Sequence, residues 1–204
     1  MAKQIILLGG MPTAGKSTIA KNLSKHLNLP WISTDQIGTI MRAVASREDY
    51  PRLFTWEDYD GVKFLDKYTA DEIADNEFAA GEENWLGVCK LIKDDDTWNG
   101  GFIIEGAGIL PHLVARDFSD SPYVKAVFIG DHDIERVRSV VSTRNVLFFD
   151  TADYTEALQQ KDAEWAIKFS EKLKAEAEKY GFAWVEVEKN AQDLVRVLRA
   201  LGLS

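Results

Sequence analysis

Eight residues near the start of the chain restrict its fold more than all the rest. Gly10-Met11-Pro12-Thr13-Ala14-Gly15-Lys16-Ser17 fits the spacing G-x-x-x-x-G-K-[ST]. The run Gln4–Leu8 before it is apolar from Ile5 onward and ends in Gly9-Gly10, as a strand buried on both faces would. After it, Ile19, Leu23 and Leu27 recur at four-residue spacing, which predicts a helix over Ser17–Leu27 stopped by Asn28 and Pro30. A loop framed by glycines between a buried strand and a helix N-terminus is a phosphate cradle. Gly10 and Gly15 permit backbone angles and a close approach that a Cβ would obstruct. The N–H groups of the loop, those of Thr13, Ala14 and Gly15 among them, converge on phosphate oxygens where the helix dipole favours negative charge. Lys16 would reach the β- and γ-phosphates, the Ser17 hydroxyl would ligate Mg²⁺, and Thr18 would contact the α-phosphate.

Further along, apolar strands alternate with helical segments. Strands are predicted at Trp31–Ser33, Phe102–Glu105, Tyr123–Ile129 and Phe182–Val187, and helices over about 35–45, 131–144, 155–180 and 191–201. Residues 46–60 show no clean period and contain Pro51, so they read as a loop or short helical turns, followed by a long helical region to about Lys93. This alternation implies an α/β fold, a five-stranded parallel sheet with helices on both faces in three layers. The expected organisation is one P-loop domain over 1–204, with a mostly helical acidic acceptor-side region at about 46–96 and a lid segment at about 131–150.

In open parallel sheets ligands lie beyond the carboxyl ends of the strands, so the residues just after each strand are the candidates for chemistry. After the second strand comes Ser33-Thr34-Asp35, with Arg42 two helical turns on. Asp35 either accepts or orients the proton of an acceptor hydroxyl, or caps the following helix. Arg42 is suited to hold an anionic group, or is a surface arginine. After the third strand, Glu105-Gly106 is a loose Walker B match. Its carboxylate either positions Mg²⁺ or aligns the acceptor, or it is a structural strand-end group. Arg136, Arg138 and Arg144 follow the fourth strand, placed either to neutralise transition-state charge or to pair with Asp131, Asp133 and Glu135. His112 reads as a surface or loop residue. Tyr50, Phe54, Trp56 and Tyr59, beside Arg47 and Arg52, read as a substrate lid or as a small hydrophobic cap.

Composition narrows the partners. The formal charge is −9, and all of that excess lies within residues 46–96. Without a basic block such a chain is a poor nucleic-acid binder, because phosphate neutralisation dominates that affinity. A single cysteine, Cys89, allows no intramolecular disulfide and fits a reducing compartment. The N-terminus lacks the apolar core of a signal peptide, and no apolar run approaches the roughly 20 residues of a bilayer span. A cytoplasmic protein with no membrane partner is expected.

Taken together, Gly9-Gly10 with Ala14-Gly15-Lys16-Ser17-Thr18, then Ile32-Ser33-Thr34-Asp35 with Met41-Arg42, then Ile103-Ile104-Glu105-Gly106 before Pro111, resembles the 2-phosphoglycerate kinase branch of P-loop kinases. More broadly the chain is similar to the nucleoside-monophosphate-kinase-like group, which includes shikimate, gluconate and chloramphenicol phosphotransferases. The resemblance implies ATP- and Mg²⁺-dependent transfer of the γ-phosphoryl group to a hydroxyl or phosphate of a small molecule. It makes Lys16, Asp35, Arg136 and Arg144 the catalytic candidates, and Asp35, Arg42, Glu105 and Gly106 the acceptor-binding ones. The competing reading is a nucleotide-binding regulator or GTP-dependent switch. Asp58-Tyr59-Asp60-Gly61 does match D-x-x-G, but it follows no buried strand and no Asn-Lys-x-Asp element accompanies it.

Overall fold

The computed structural model describes residues 3–57, 61–94, 96, 100–145 and 153–203, the side chains of 144 and 145 excepted. Asp58, Tyr59 and Asp60, the end of the expected lid at 146–150 and the Arg144 side chain therefore lie outside the described residues. Five strands, β1 Gln4–Gly10, β2 Trp31–Ser33, β3 Gly101–Gly106, β4 Val124–Gly130 and β5 Ala183–Glu186, pair in the order β2-β3-β1-β4-β5. Every pairing is parallel. This is the α/β P-loop architecture that the alternation of elements predicts.

The register explains why β1 reads as one apolar run. It is hydrogen-bonded on both edges, Leu7 lying opposite Ile104 of β3 and Ala126 of β4. Ile5, Ile6, Leu7 and Leu8 are wholly buried, so side chains on both faces of the strand meet protein. α1 (Lys16–Leu27) packs with α8 (Gln192–Ala200), while α4 (Ala70–Ile92), α5 (Pro111–Phe118) and α7 (Glu156–Lys179) pack with one another. The chain runs from β1 outward to β2, returns through β3, then crosses to β4 and β5. The order reverses beside β1, where open α/β sheets bind ligands.

Three boundaries differ from the sequence expectation. The helix after β2 is α2, Thr34–Arg42: a Ser33–Gln36 capping box starts it one residue before the expected position, and it ends before Ala45, at an Ala43 C-cap. Among its described residues the 46–60 stretch contains one 3-10 turn, at Pro51–Phe54, and the long helical region divides into α3 (Gly61–Lys67) and α4, whose start Thr69 and Glu72 cap. α6 spans Ile134–Asn145. α5 corresponds to no predicted helix: its N-cap is Leu110, without a capping side chain, and Pro111 opens its first turn. Pro111 is thus its one local start signal, and tertiary burial of Leu113, Val114 and Phe118 stabilises this short helix.

Candidate active site

The phosphate loop leaves the carboxyl end of β1 and feeds α1. Thr13 (φ 69°) and Gly15 (φ 85°) both take left-handed backbone angles, so the chain reverses tightly above the strand. At Gly10 the constraint is space, since a Cβ there would lie 2.6 Å from the Ile129 carbonyl oxygen of β4. No side chain caps α1 and no acidic residue sits in its first turn, so its leading N–H groups are available to an anion. Lys16 Nζ folds back to donate to the Met11 carbonyl at 2.8 Å.

The Ser17 hydroxyl donates to Glu105 Oε1 at 2.9 Å, joining the loop to the end of β3. Glu105 is only 2% exposed. Gly106, the next residue, has φ 153°, and a Cβ on it would lie 1.8 Å from Thr34 Oγ1, so β3 and the start of α2 approach in a way only glycine permits. Ser17 and Glu105 thus bring two hard oxygen ligands together beside the loop. That suits Mg²⁺, which takes one or two protein oxygens and completes its shell with water and substrate phosphates. Among the described residues no cluster of three or more His, Cys, Asp or Glu forms a self-sufficient metal cage.

Asp35 stands in the first turn of α2, but the cap is Ser33, whose side chain accepts from the Gln36 N–H at 3.2 Å. The capping alternative for Asp35 is thereby taken by a neighbour, and its exposed carboxylate faces the cavity. This cavity, about 470 Å³, has one end lined by Thr13, Gly15, Lys16, Ser17 and Thr18, and its walls by Asp35, Glu105 and Gly106. Trp56, Glu77 and, from α7, Trp165 also line it. An adjoining chamber of about 90 Å³ shares Asp35, Trp56 and Glu77 with it and adds Arg42, Arg52 and Asn84.

Glu77 dominates the electrostatics of the far wall. Burial raises its pKa, the Trp56 indole N–H donated to it opposes that, Asp35 raises it again and Lys16 lowers it, leaving it pushed up to about 7. Trp165 is held by Asp162, 5% exposed, which accepts from its indole N–H and from the Tyr154 hydroxyl, each at 2.6 Å. Trp56 packs on Phe64, ring centroids 4.1 Å apart, and lies 6.4 Å from Trp165. Of the aromatic residues in this stretch, Trp56 supplies cavity wall and Phe54 is buried beside Leu53 as packing.

Of the sequence candidates, Thr13, Gly15, Lys16, Ser17, Thr18, Asp35, Glu105 and Gly106 meet on the main cavity, and Arg42 lines the chamber. Gly10 and Ala14 of the loop are buried and do not line the cavity. Arg136 is elsewhere: its Nε and Nη2 donate to Asp131 at 2.8 and 2.7 Å, and Nη2 also reaches the Val187 carbonyl. His112 lies between helices rather than in a loop, 2.8 Å from Glu176 of α7 and 3.5 Å from Glu82 of α4. The sequence reading does not find Glu77, Asn84 or Trp165. The first two carry a signal: residues 77, 80, 81 and 84 of α4 form one helical face on which Ala80 and Gly81 leave room between two polar groups.

A family model described as AAA domain matches residues 9–107. That span contains the phosphate loop, Asp35, Trp56, Glu77, Asn84 and Glu105. No curated protein matches the chain in sequence. Among solved structures, shikimate kinase from Aquifex aeolicus vf5 superposes with a TM-score of 0.55 at 17% identity, covering 98% of this chain and 96% of that one. Shikimate kinase from Bacteroides thetaiotaomicron gives 0.56 at 16% identity, with 98% and 99% covered. A sugar kinase from Janibacter sp. HTCC2649 gives 0.56 at 14%, with 99% and 96% covered. These likenesses establish a shared fold over nearly the whole chain.

Proposed function

We propose that this protein is an ATP- and Mg²⁺-dependent kinase that phosphorylates a hydroxyl group of a small molecule. The observation that carries the reading is that one cavity is lined at once by Lys16, Ser17 and Thr18 of the phosphate loop and by Asp35 of α2. The loop N–H groups, the α1 N-terminus and Lys16 hold the polyphosphate and oppose the charge that spreads over the γ-phosphoryl oxygens. Ser17, with Glu105 behind it, would hold Mg²⁺, which neutralises phosphate charge when bound. Asp35 orients the acceptor hydroxyl and takes its proton as the new O–P bond forms and the bond from the γ-phosphorus to the β–γ bridging oxygen breaks, releasing ADP. The AAA-domain match over 9–107 and the fold shared with kinases support this assignment.

Arg144 stands as the candidate lid cation on α6. Arg136 would have to leave its pair with Asp131 to reach a phosphate. The resemblance to 2-phosphoglycerate kinases makes 2-phosphoglycerate one acceptor to test. The protein, incubated with Mg-ATP and a panel of hydroxy acids, nucleosides and sugars, should transfer labelled phosphate to at least one of them. Transfer to none, together with much tighter binding of GTP than ATP, would overturn the kinase reading in favour of a nucleotide switch.

A further inference from the structure

Four charged side chains line the chamber beside the main cavity: Asp35, Arg42, Arg52 and Glu77. Of these, Arg42 alone has a counter-ion among the described residues. It pairs through Nε with Glu57 at 2.9 Å and donates from Nη1 to the Leu53 carbonyl and from Nη2 to Thr39 Oγ1. Arg52 is held differently. Its Nη1 donates to the neutral amide of Asn76 at 2.9 Å, while Nε and Nη2 have no partner among the described residues. Those two groups lie along one edge of the guanidinium fork, the edge that a bidentate grip on a carboxylate uses.

The two carboxylates likewise lack counter-ions. The Asp35 side chain makes no hydrogen bond or ion pair among the described residues, the Thr39 hydroxyl donating to its backbone carbonyl instead. Glu77 Oε1 accepts from the indole N–H of Trp56, a neutral donor, and no described cation forms an ion pair with it. Arg52 and Glu77 thus share a chamber without meeting, each tied to a neutral group, Asn76 for one and Trp56 for the other. Beside Glu77 the Trp56 ring, 39% exposed and backed by Phe64, offers aromatic surface to a cation. Opposite charges are held apart and unpaired across one small space, and a ligand that carries both signs completes each of them.

We infer that the phosphoryl acceptor is a hydroxy acid with an ammonium group of its own, a small amino acid bearing a hydroxyl. The inference rests on the kinase reading above for the transfer step, and on the chamber alone for the charges. Arg52 grips the carboxylate through Nε and Nη2, and the ammonium lies between Glu77 and the Trp56 ring. The hydroxyl points to Asp35, which takes its proton as the oxygen bonds to the γ-phosphorus and ADP leaves. Of the anions a guanidinium holds in this way, carboxylate is smaller than phosphate and suits a chamber of about 90 Å³. An acceptor with one charge completes only half of this arrangement. Burial holds the Glu77 carboxyl up at about 7 against the Trp56 hydrogen bond, with Asp35 raising it further and Lys16 lowering it. An ammonium arriving beside it therefore expels a proton near neutral pH.

The test uses matched probes: serine and homoserine, their decarboxylated forms ethanolamine and 3-aminopropanol, and their deaminated forms 3-hydroxypropanoate and 4-hydroxybutanoate. Each is titrated into the protein while tryptophan fluorescence is followed, then offered as acceptor with Mg-ATP. At least one amino acid should bind saturably, with kcat/KM for transfer at least about tenfold above both of its truncated forms, the equivalent of one charge-assisted hydrogen bond. Arg52→Gln should abolish the advantage over the decarboxylated form and keep that over the deaminated one, and Arg52→Lys should restore part of it. Glu77→Gln should do the reverse, and should remove the proton release that calorimetry in two buffers at pH 7 detects on binding. Variants that weaken all the probes alike would show that these side chains only support the fold, which overturns the inference. So does a truncated form that matches its amino acid, or binding of neither amino acid, even where other hydroxy compounds are phosphorylated. An amino acid that binds with these preferences but is never phosphorylated sinks the kinase reading and supports the charges assigned to the chamber.

Discussion

At the scale of single residues, side chains divide by whether their role follows from the chain around them. Lys16 is defined by its place in the loop, and its substitution gives a direct test of the donor half of the site. With nucleotide at a hundredfold its Kd, binding stabilises the folded state by ~2.7 kcal/mol, roughly 5–10 °C for a chain of this size. Lys16→Ala should remove most of that Mg-ATP-dependent shift in Tm, and a variant that shifts like the wild type contradicts the loop assignment. Asp35→Asn should lower kcat by about 10²- to 10⁴-fold, the usual worth of general-base catalysis, with nucleotide binding retained in the same thermal-shift assay. Glu77 makes a prediction in pH. Its folded pKa of about 7 lies above the ordinary 4.5, so the folded protein holds a proton that the unfolded chain releases. The stability this contributes is complete below 4.5 and is lost as pH rises through about 7. Glu77→Gln should therefore flatten the Tm-against-pH curve over that window and stabilise the protein relative to wild type on the alkaline side. Parallel curves for the two proteins would refute the shift.

Among the elements, α2 is the one on which the proposed chemistry turns, because it carries Asp35 and Arg42 into the cavity walls. Its start is fixed by the Ser33–Gln36 capping box. Ser33→Ala should cost about 1 kcal/mol in chemical denaturation. By letting the first turn fray it should also raise the acceptor KM more than the nucleotide KM, since the phosphate loop sits on a different helix. Equal changes in both constants would argue that the cap acts only on overall stability. Legibility also divides at this scale. α1, α7 and α8 show helical spacing in the sequence, and the structure contains them. α5 has helical spacing at Leu110, Leu113, Val114 and Phe118 but only 8 residues and no capping side chain, so it forms because the body of the protein supplies the apolar surface that this face covers.

Over the whole molecule, Asp131 joins parts of the chain far apart in sequence. Wholly buried at the end of β4, it receives Arg136 from α6, forms an ion pair with Lys189 beyond β5 at 3.3 Å, and lends its N–H to Met11 Sδ of the phosphate loop at 3.2 Å. Burial pushes its pKa up, but the Arg136 and Asp133 hydrogen bonds and the Lys189 charge outweigh that and hold it below the usual carboxylate range. The stability it contributes is thus present at neutral pH and lost as pH falls through the depressed value. Asp131→Asn should destabilise the protein by ~2 kcal/mol at pH 7, less than a fully buried pair because Arg136 keeps some contact with water. The deficit should shrink on acidification. Urea unfolding at pH 7 and at a pH well below the ordinary 3.8 measures both, and a deficit independent of pH would show that the charge is not responsible.

The sequence by itself determined the phosphate loop, its strand and helix, the parallel α/β architecture and the positions of Asp35 and Glu105 at the carboxyl ends of their strands. These depend on short-range spacing and on backbone geometry, which neighbouring residues dictate. The tertiary structure alone decided that Glu77 of α4 and Trp165 of α7 line one cavity with the loop, that Asn84 lines the adjoining chamber, and that Arg136 is bound to Asp131 rather than lining the cavity. Those meetings arise from the packing of α4 on α7 and on α2. Such contacts join residues tens of positions apart, and no local period in the chain records which side chains they will bring face to face.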